Sequence, residues 1–331
     1  MRTGVALSVM SSCLFALLFF YTTVLHPMSG LQVFAWRIAL GLPALALIIT
    51  RGRGWGQVST IWQRLCREPR LWLVLLASAA LVGVQLWLFV WAPLHQKALD
   101  VSMGYFLLPI SMVLIGRVVY KERLSRLQNL AVWLAVVGVA HELGRTGAFS
   151  WVTALVMLGY PPYFILRREL HEGSLGLLWF DMLFLMPIAL LVLMLPENGM
   201  SAFAQLIAYP RLFLLVPLLG LISSVALAGY LSAGRLLPFG LFGMLGYVEP
   251  ILLFWVSVLM LNEPVPAAAL FTYMPIWLAV VLIAGEGGYK WLRDSRRKST
   301  VARPENTLKN AIEATSSCKI DEKKRKPEDV A

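Results

Sequence analysis

Ten runs of about twenty mostly apolar residues follow one another along this chain, near 3–25, 30–50, 71–93, 99–119, 126–143, 149–167, 175–195, 209–232, 237–261 and 266–288. Each residue of a helix rises about 1.5 Å, and a bilayer's hydrocarbon is about 30 Å thick, so each run is long enough to cross it. Short segments with turn or charge signals separate most of them, such as His26–Pro27–Met28–Ser29–Gly30 and Pro196–Glu197–Asn198–Gly199. The composition agrees. Charged residues make up 14% and hydrophobic ones 59%, where a soluble domain has about 25% charged. Too few polar side chains remain to coat a water-facing surface, so an ordinary soluble enzyme is excluded. The expected fold is an all-α polytopic membrane protein with ten transmembrane helices.

The charge is unevenly placed. Residues 290–331 hold 12 of the 29 Lys+Arg and 7 of the 18 Asp+Glu, without apolar periodicity. They read as a basic cytoplasmic tail, mostly disordered. The formal net charge of +11 does not point to nucleic acid, because the other basic residues lie between apolar spans. Arg2, Arg51, Arg53, Arg64, Arg67, Arg70, Lys121, Arg123, Arg126, Arg167, Arg168 and Arg235 fall on one side of the expected topology, and only Lys97, Arg145 and Arg211 on the other. Cytoplasmic loops carry the excess of Lys and Arg, which puts both termini in the cytoplasm of a plasma-membrane protein. Met1–Arg2–Thr3 runs directly into the first span and reads as its start, not as a signal peptide. Cys13, Cys66 and Cys318 have no pairing or metal spacing. The stretch Trp55–Arg70 sets Trp62 and Leu65 among arginines and suits a short amphipathic helix along the inner interface.

An ordered set of residues recurs. Gly104–Tyr105, Pro109, Glu122 and Trp133–Leu134–Ala135–Val136–Val137 return as Gly246–Tyr247, Pro250, Glu263 and Trp277–Leu278–Ala279–Val280–Val281, with 13 residues from Pro to Glu both times. Five spans per half is an odd number, so the second copy is inverted in the membrane, an arrangement common in secondary transporters. The organisation expected is a first five-helix repeat over 1–145, a second over 146–289, and the tail.

Ionisable side chains inside a span are costly and mark functional sites by default. Glu249 falls near the middle of the ninth expected span, before Pro250, where a proline weakens a continuous helix. Its carboxylate suits coupling to protons or binding of substrate. Arg37 in the second span suits attraction of an anionic group, and Asp181 in the seventh lies 144 residues on, the same offset that superposes Trp133 on Trp277. The two are expected at opposite ends of one polar pathway, too far apart in depth for a direct ion pair. Gln85, Trp87, Tyr105 and Tyr247 supply the polar and aromatic surface that a site for an organic solute needs. Glu122 and Glu263 close the fourth and ninth spans and suit structural roles at helix N-termini. No ATP-binding, zinc or dinucleotide motif appears in a plausible context, so no cofactor is expected.

The stretches Trp36–Arg37, Leu86–Trp87–Leu88–Phe89–Val90–Trp91–Ala92, Ser102–Met103–Gly104–Tyr105–Phe106–Leu107–Leu108–Pro109 and Lys121–Glu122–Arg123, then Asp181 with Pro187, Arg235 and Asn262–Glu263–Pro264, resemble the EamA branch of the drug/metabolite transporter superfamily, most closely its RarD-type permeases. The likeness covers about residues 1–290. Departures are the glutamate at 249, Asp181 where the family has Glu, and Lys121 and Asn262 where it has Gly before each Glu. The resemblance implies an inner-membrane permease that moves a small organic solute without ATP, and it names no solute. Alternatives are a membrane enzyme acting on lipid-linked substrates through His95 and Asp100, which fit a His-x4-Asp spacing, and a sensor that carries nothing.

The topology is directly testable. Reporter fusions after residues 145 and 197 are expected to be active outside the membrane, and fusions after 60, 171 and 300 inside. A single reversed position removes the ten-span inverted arrangement.

Overall fold

A computed structural model describes residues 2–119, 121, 123–170, 174–197, 199–237, 241–242, 245–289 and 293. They form helices α1 (Arg2–Val24), α2 (Gly30–Arg51), α3 (Trp55–Arg67), α4 (Arg70–Trp91), α5 (Ala98–Val119), α6 (Arg126–Thr146), α7 (Trp151–Leu170), α8 (Ser174–Met194), α9 (Ala202–Ala208), α10 (Leu212–Leu236) and α11 (Val248–Leu259). Helix α12 covers Ala267–Tyr289. Met1–Ala284 make one compact unit and Gly285–Ala331 a second, of which the described residues are 285–289 and Arg293. The tail expected over 290–331 otherwise lies outside the described residues, as does Glu122.

Eight of the described helices are long and apolar enough to cross a membrane. Two expected spans are not among them. Over 149–167 the chain does form a helix, α7, but Tyr160, Pro161, Pro162, Tyr163 and Arg167 dilute its apolar character. Over 237–261 the described helix is α11, 12 residues long, preceded by a turn at Gly246–Tyr247. Large apolar side chains face outward as well as inward: Leu73 is 72% exposed and Leu214 75%. In water such a surface is a liability; against lipid tails it costs nothing.

Local chemistry sets several boundaries. Ser29 Oγ accepts from Gln32 N at 3.2 Å while Gln32 Oε1 accepts from Ser29 N, and Ser125 and Gln128 repeat this reciprocal capping at the start of α6. Helix α6 stops at Gly147, whose φ of 72° is left-handed. Lys121 and Asn262 take the same left-handed conformation at φ 54° and 53°, each twelve residues after the paired prolines Pro109 and Pro250. Glycine is the usual occupant of this conformation because a Cβ is crowded there.

Packing interleaves the two sequence halves: α1 lies on α10, α2 on α8 and α5 on α7. With no hydrophobic drive between helices in lipid, close contact depends on small residues. A Cβ on Gly104 would come within 2.5 Å of Val156 Cβ and 3.1 Å of Thr153 O, and one on Gly138 within 2.8 Å of Thr272 O. Helix α3 turns Ile61 and Leu65 into a cluster with Leu75, Leu177 and Phe180, and keeps Trp62 and Arg67 exposed, the amphipathic form its sequence suggests.

Gly104→Leu is expected to lower the melting temperature in detergent markedly, since overpacking costs about 1–3 kcal/mol. Gly144→Leu, at a position with open space, is the neutral comparison. Lys121→Gly is expected to raise the melting temperature by relieving a left-handed strain of about 1 kcal/mol.

Candidate functional site

Arg37 sits on the second turn of α2 and is 9% exposed. Its guanidinium lies 5.4 Å from the centre of the Phe89 ring on α4, a cation–π contact. Nη1 is buried without a hydrogen-bond partner, and the side chain makes no hydrogen bond or ion pair among the described residues. Tyr105 on α5 packs edge-on against Phe89, and its hydroxyl meets that of Tyr160 on α7 at 2.9 Å. Four helices thus meet at Arg37: α2 carries it, α4 places Phe89 beneath it, and α5 and α7 extend the cluster with Tyr105 and Tyr160.

Glu249 is half-buried and makes no hydrogen bond or ion pair among the described residues. Its backbone setting differs from the expectation. Pro250 does not weaken a continuous helix. It stands in the first turn of α11, which begins at Val248 after the turn at Gly246–Tyr247, and a first-turn proline removes an N–H that no intrahelical carbonyl needs. The Glu249 carboxylate therefore sits at the positive end of a short helix. Tyr247, just before it, packs with the cluster of Phe254, Tyr273 and Ile276.

Asp181 belongs to another cluster. It is fully buried on α8; Ser78 Oγ of α4 donates to Oδ1 at 2.9 Å, while Tyr163 and Arg167 of α7 donate to Oδ2 at 3.3 and 3.2 Å. Arg167 was expected among the inner loop cations; it is instead a mostly buried ion-pair partner. Gln85 donates to the Leu155 carbonyl at 2.7 Å, passing over Gly159 where any Cβ would collide with its amide. Trp87 stacks at an angle on Trp91. Asp181 and Gln85 thus fasten helices together, while the Trp87–Trp91 contact lies within α4.

Glu263 caps a helix other than the one it precedes: Oε1 and Oε2 accept from Ala98 N and Leu99 N at 2.7 and 2.8 Å, at the start of α5. Burial pushes its carboxyl up from the usual range, against the downward pull of those two N–H groups. His95 lies flat on Trp91, ring centres 4.1 Å apart, and Asp100 pairs with Lys97 at 3.1 Å, so the two do not face each other as an acid–base couple.

The sequence had suggested Arg37, Glu249 and Tyr105. It had not suggested Phe89 or Tyr160. Tyr160 did leave a signal, a tyrosine far inside an apolar run, away from the interfaces where tyrosine is common.

No known family profile matches the chain. A chloramphenicol-sensitive protein, RarD, of Pseudomonas aeruginosa is 46% identical over 294 residues, covering 89% of this chain and 97% of that one. An uncharacterized transporter of Haemophilus influenzae is 35% identical over 285 residues, covering 86% and 94%. A solved crystal structure, 17% identical, superposes with a TM-score of 0.51 over 84% of this chain and 96% of the other; that likeness concerns the fold alone. Taken with the eight membrane-length helices, the near-complete match at 46% identity establishes that this multi-pass membrane protein belongs to the RarD family.

Proposed function

We propose that the chain is a secondary active transporter that moves a small organic solute across the inner membrane by alternating access. In this reading the protein has ten spans, arranged as inverted repeats over 1–145 and 146–289 of the EamA type, with both termini cytoplasmic. The observation that carries the proposal is the two charges Arg37 and Glu249, opposite in sign and far apart in sequence, neither with a hydrogen-bond or ion-pair partner among the described residues. An unpaired buried charge is expensive, and a protein keeps one where something else completes it. Relatives named as transporters support the same class. The matching left-handed residues Lys121 and Asn262 support the repeat.

The chemistry divides the residues. Arg37 offers free N–H donors to an acidic group, and Tyr105 with Tyr160 forms a polar wall beside it. Glu249 holds the coupling proton or a basic group of the solute. Asp181, with Arg167, Tyr163 and Ser78, is satisfied internally and steadies the far end of α7. Gln85 holds the middle of that helix, and Trp87 and Tyr247 line the flanking packing. Rocking one half against the other exposes the Arg37–Glu249 region to each side in turn.

The test uses proteoliposomes and whichever solute the wild type carries in a screen of amino acids, organic acids and amphenicols. Glu249→Gln is expected to insert and bind normally, to lose proton-gradient-driven uptake about tenfold or more, and to retain counterflow exchange. Equal gradient-driven rates in the two proteins would refute the coupling role.

A further inference from the structure

We infer that α3 and the arginines at its two ends form a docking surface for anionic phospholipid, with headgroup phosphates taken by Arg51, Arg53, Arg67 and Arg70 and the edge of the hydrocarbon by Trp55 and Trp62. The inference rests on the chain being a multi-pass membrane protein and is independent of what solute it moves.

Connectivity puts α3 at one membrane face. It joins α2 to α4, and both of these are long enough to cross a bilayer. With 13 residues α3 is itself about 20 Å long, too short to cross. One stripe holds it to the bundle. Ile61 and Leu65 are buried with Leu75 of α4 and with Leu177 and Phe180 of α8. A Cβ on Gly176 would come within 2.7 Å of the Ile61 side chain, so the first turn of α8 is pared back to admit the helix.

Beside that stripe runs an aromatic one. Trp55 and Trp62 are seven residues apart, two helical turns, and so share a flank; they are 41% and 50% exposed. Each is gripped on one side only. Trp55 stands edge-on to Trp179 of α8 at 5.3 Å, and its Nε1 donates to Thr50 Oγ1 at 2.9 Å. Trp62 stands edge-on to Trp72 of α4 at 6.0 Å and lies parallel to Phe180 at 6.5 Å. An indole ordered by its neighbours yet half open to its surroundings suits the boundary between headgroups and hydrocarbon, where tryptophan is enriched. Apolar surface begins within a turn of α3's end: Leu73 of α4 points outward.

The cations complete the surface. From 51 to 70 the chain has five arginines and one acid, Glu68. Arg51 and Arg53 precede α3, and Arg67 and Arg70 close it off. All four are exposed, and none has a hydrogen-bond or ion-pair partner among the described residues. Elsewhere the chain does supply partners: Arg145 has Glu142 and Arg167 has Asp181. A guanidinium presents a planar fork of N–H donors that matches phosphate oxygens.

Together the two stripes select one partner. A soluble anion or an acidic protein would satisfy the arginines and give the indoles nothing. A zwitterionic lipid would accept the indoles but bring its own ammonium to the arginines. An anionic phospholipid meets both demands, since amphipathic helices bind by buried apolar area and by attraction to negative headgroups at once.

The test titrates the purified full chain in detergent with phosphatidylglycerol, phosphatidylcholine or glycerol phosphate and follows the melting temperature. Phosphatidylglycerol is expected to raise it by several degrees and the other two to leave it unchanged. Raising sodium chloride from about 0.1 M to about 0.5 M should cut the response severalfold, because exposed charges are screened. Arg51→Gln, Arg53→Gln, Arg67→Gln and Arg70→Gln combined should need about tenfold more phosphatidylglycerol for the same shift, and Trp55→Ala with Trp62→Ala should weaken it too. Changing Lys323, Lys324, Arg325 and Lys326 to Gln removes as much charge from the tail and should leave the response intact. Melting temperature without lipid and a monodisperse profile report folding; should a variant fail to fold, the salt dependence of the unaltered chain decides. No shift with phosphatidylglycerol, or an equal one with phosphatidylcholine or glycerol phosphate, overturns the inference. So does a full response in the arginine or tryptophan variant, a response lost in the tail variant, or one that salt does not touch.

Discussion

Hydrocarbon offers a backbone carbonyl nothing to bond to, and much of this structure follows from meeting that demand inside helices that contain proline. Helix α7 shows it most clearly. Pro161 cannot donate to the Met157 carbonyl, and Ser111 of α5 reaches across to do so at 2.7 Å. Two residues earlier, Gln85 of α4 bonds the Leu155 carbonyl. Those two side chains fix α7 against α4 and α5, and α7 carries Tyr160 to one polar cluster and Tyr163 with Arg167 to the other. The glycines at 104 and 159 allow the approach.

The two clusters illustrate opposite ways of burying charge. Around Asp181 nearly every lone pair finds a donor, and the ion pair with Arg167 links α7 to α8 while Ser78 adds α4. Removing one partner of such a group costs about 3–5 kcal/mol, because the other charge is stranded. Around Arg37 no hydrogen-bond or ion-pair partner stands among the described residues, and the cation rests on the Phe89 ring. Burial by itself does not separate a structural charge from a binding one; the inventory of partners does.

Much of the architecture was legible from one dimension. Apolar run length located the eight membrane-length helices, and the Ser-x-x-Gln spacings located two helix starts. The Pro-to-Glu spacing recurs where Lys121 and Asn262 take the same left-handed conformation, which the spacing alone does not specify. Over the 237–261 run, which no charged residue but Glu249 interrupts, the described helix α11 starts only at Val248, after a turn at Gly246–Tyr247. Arg37 and Glu249 stood out as charges in apolar sequence, but they lie 212 positions apart, and what surrounds each is set by packing, of α2 against α4, α8 and α10 and of α11 against α1 and α5. Arg167 was hidden for a related reason. Adjacent to Arg168 at a span end, it reads as a loop cation, and nothing local reveals that Asp181, 14 residues on, lies opposite it on the next helix.

The double proline of α7 also has a mechanical consequence. Two consecutive carbonyls there lack intrahelical donors, so the rod is least stiff between Tyr160 and Tyr163. Arg167 lies about 10 Å along the axis from Tyr160. A bend of about 10° at this joint carries the guanidinium of Arg167 sideways by about 2 Å, enough to part it from Asp181 while the Tyr160 end stays in place. Helix α7 is in this sense a short crank whose pivot stands beside one polar cluster and whose free end is pinned by the other.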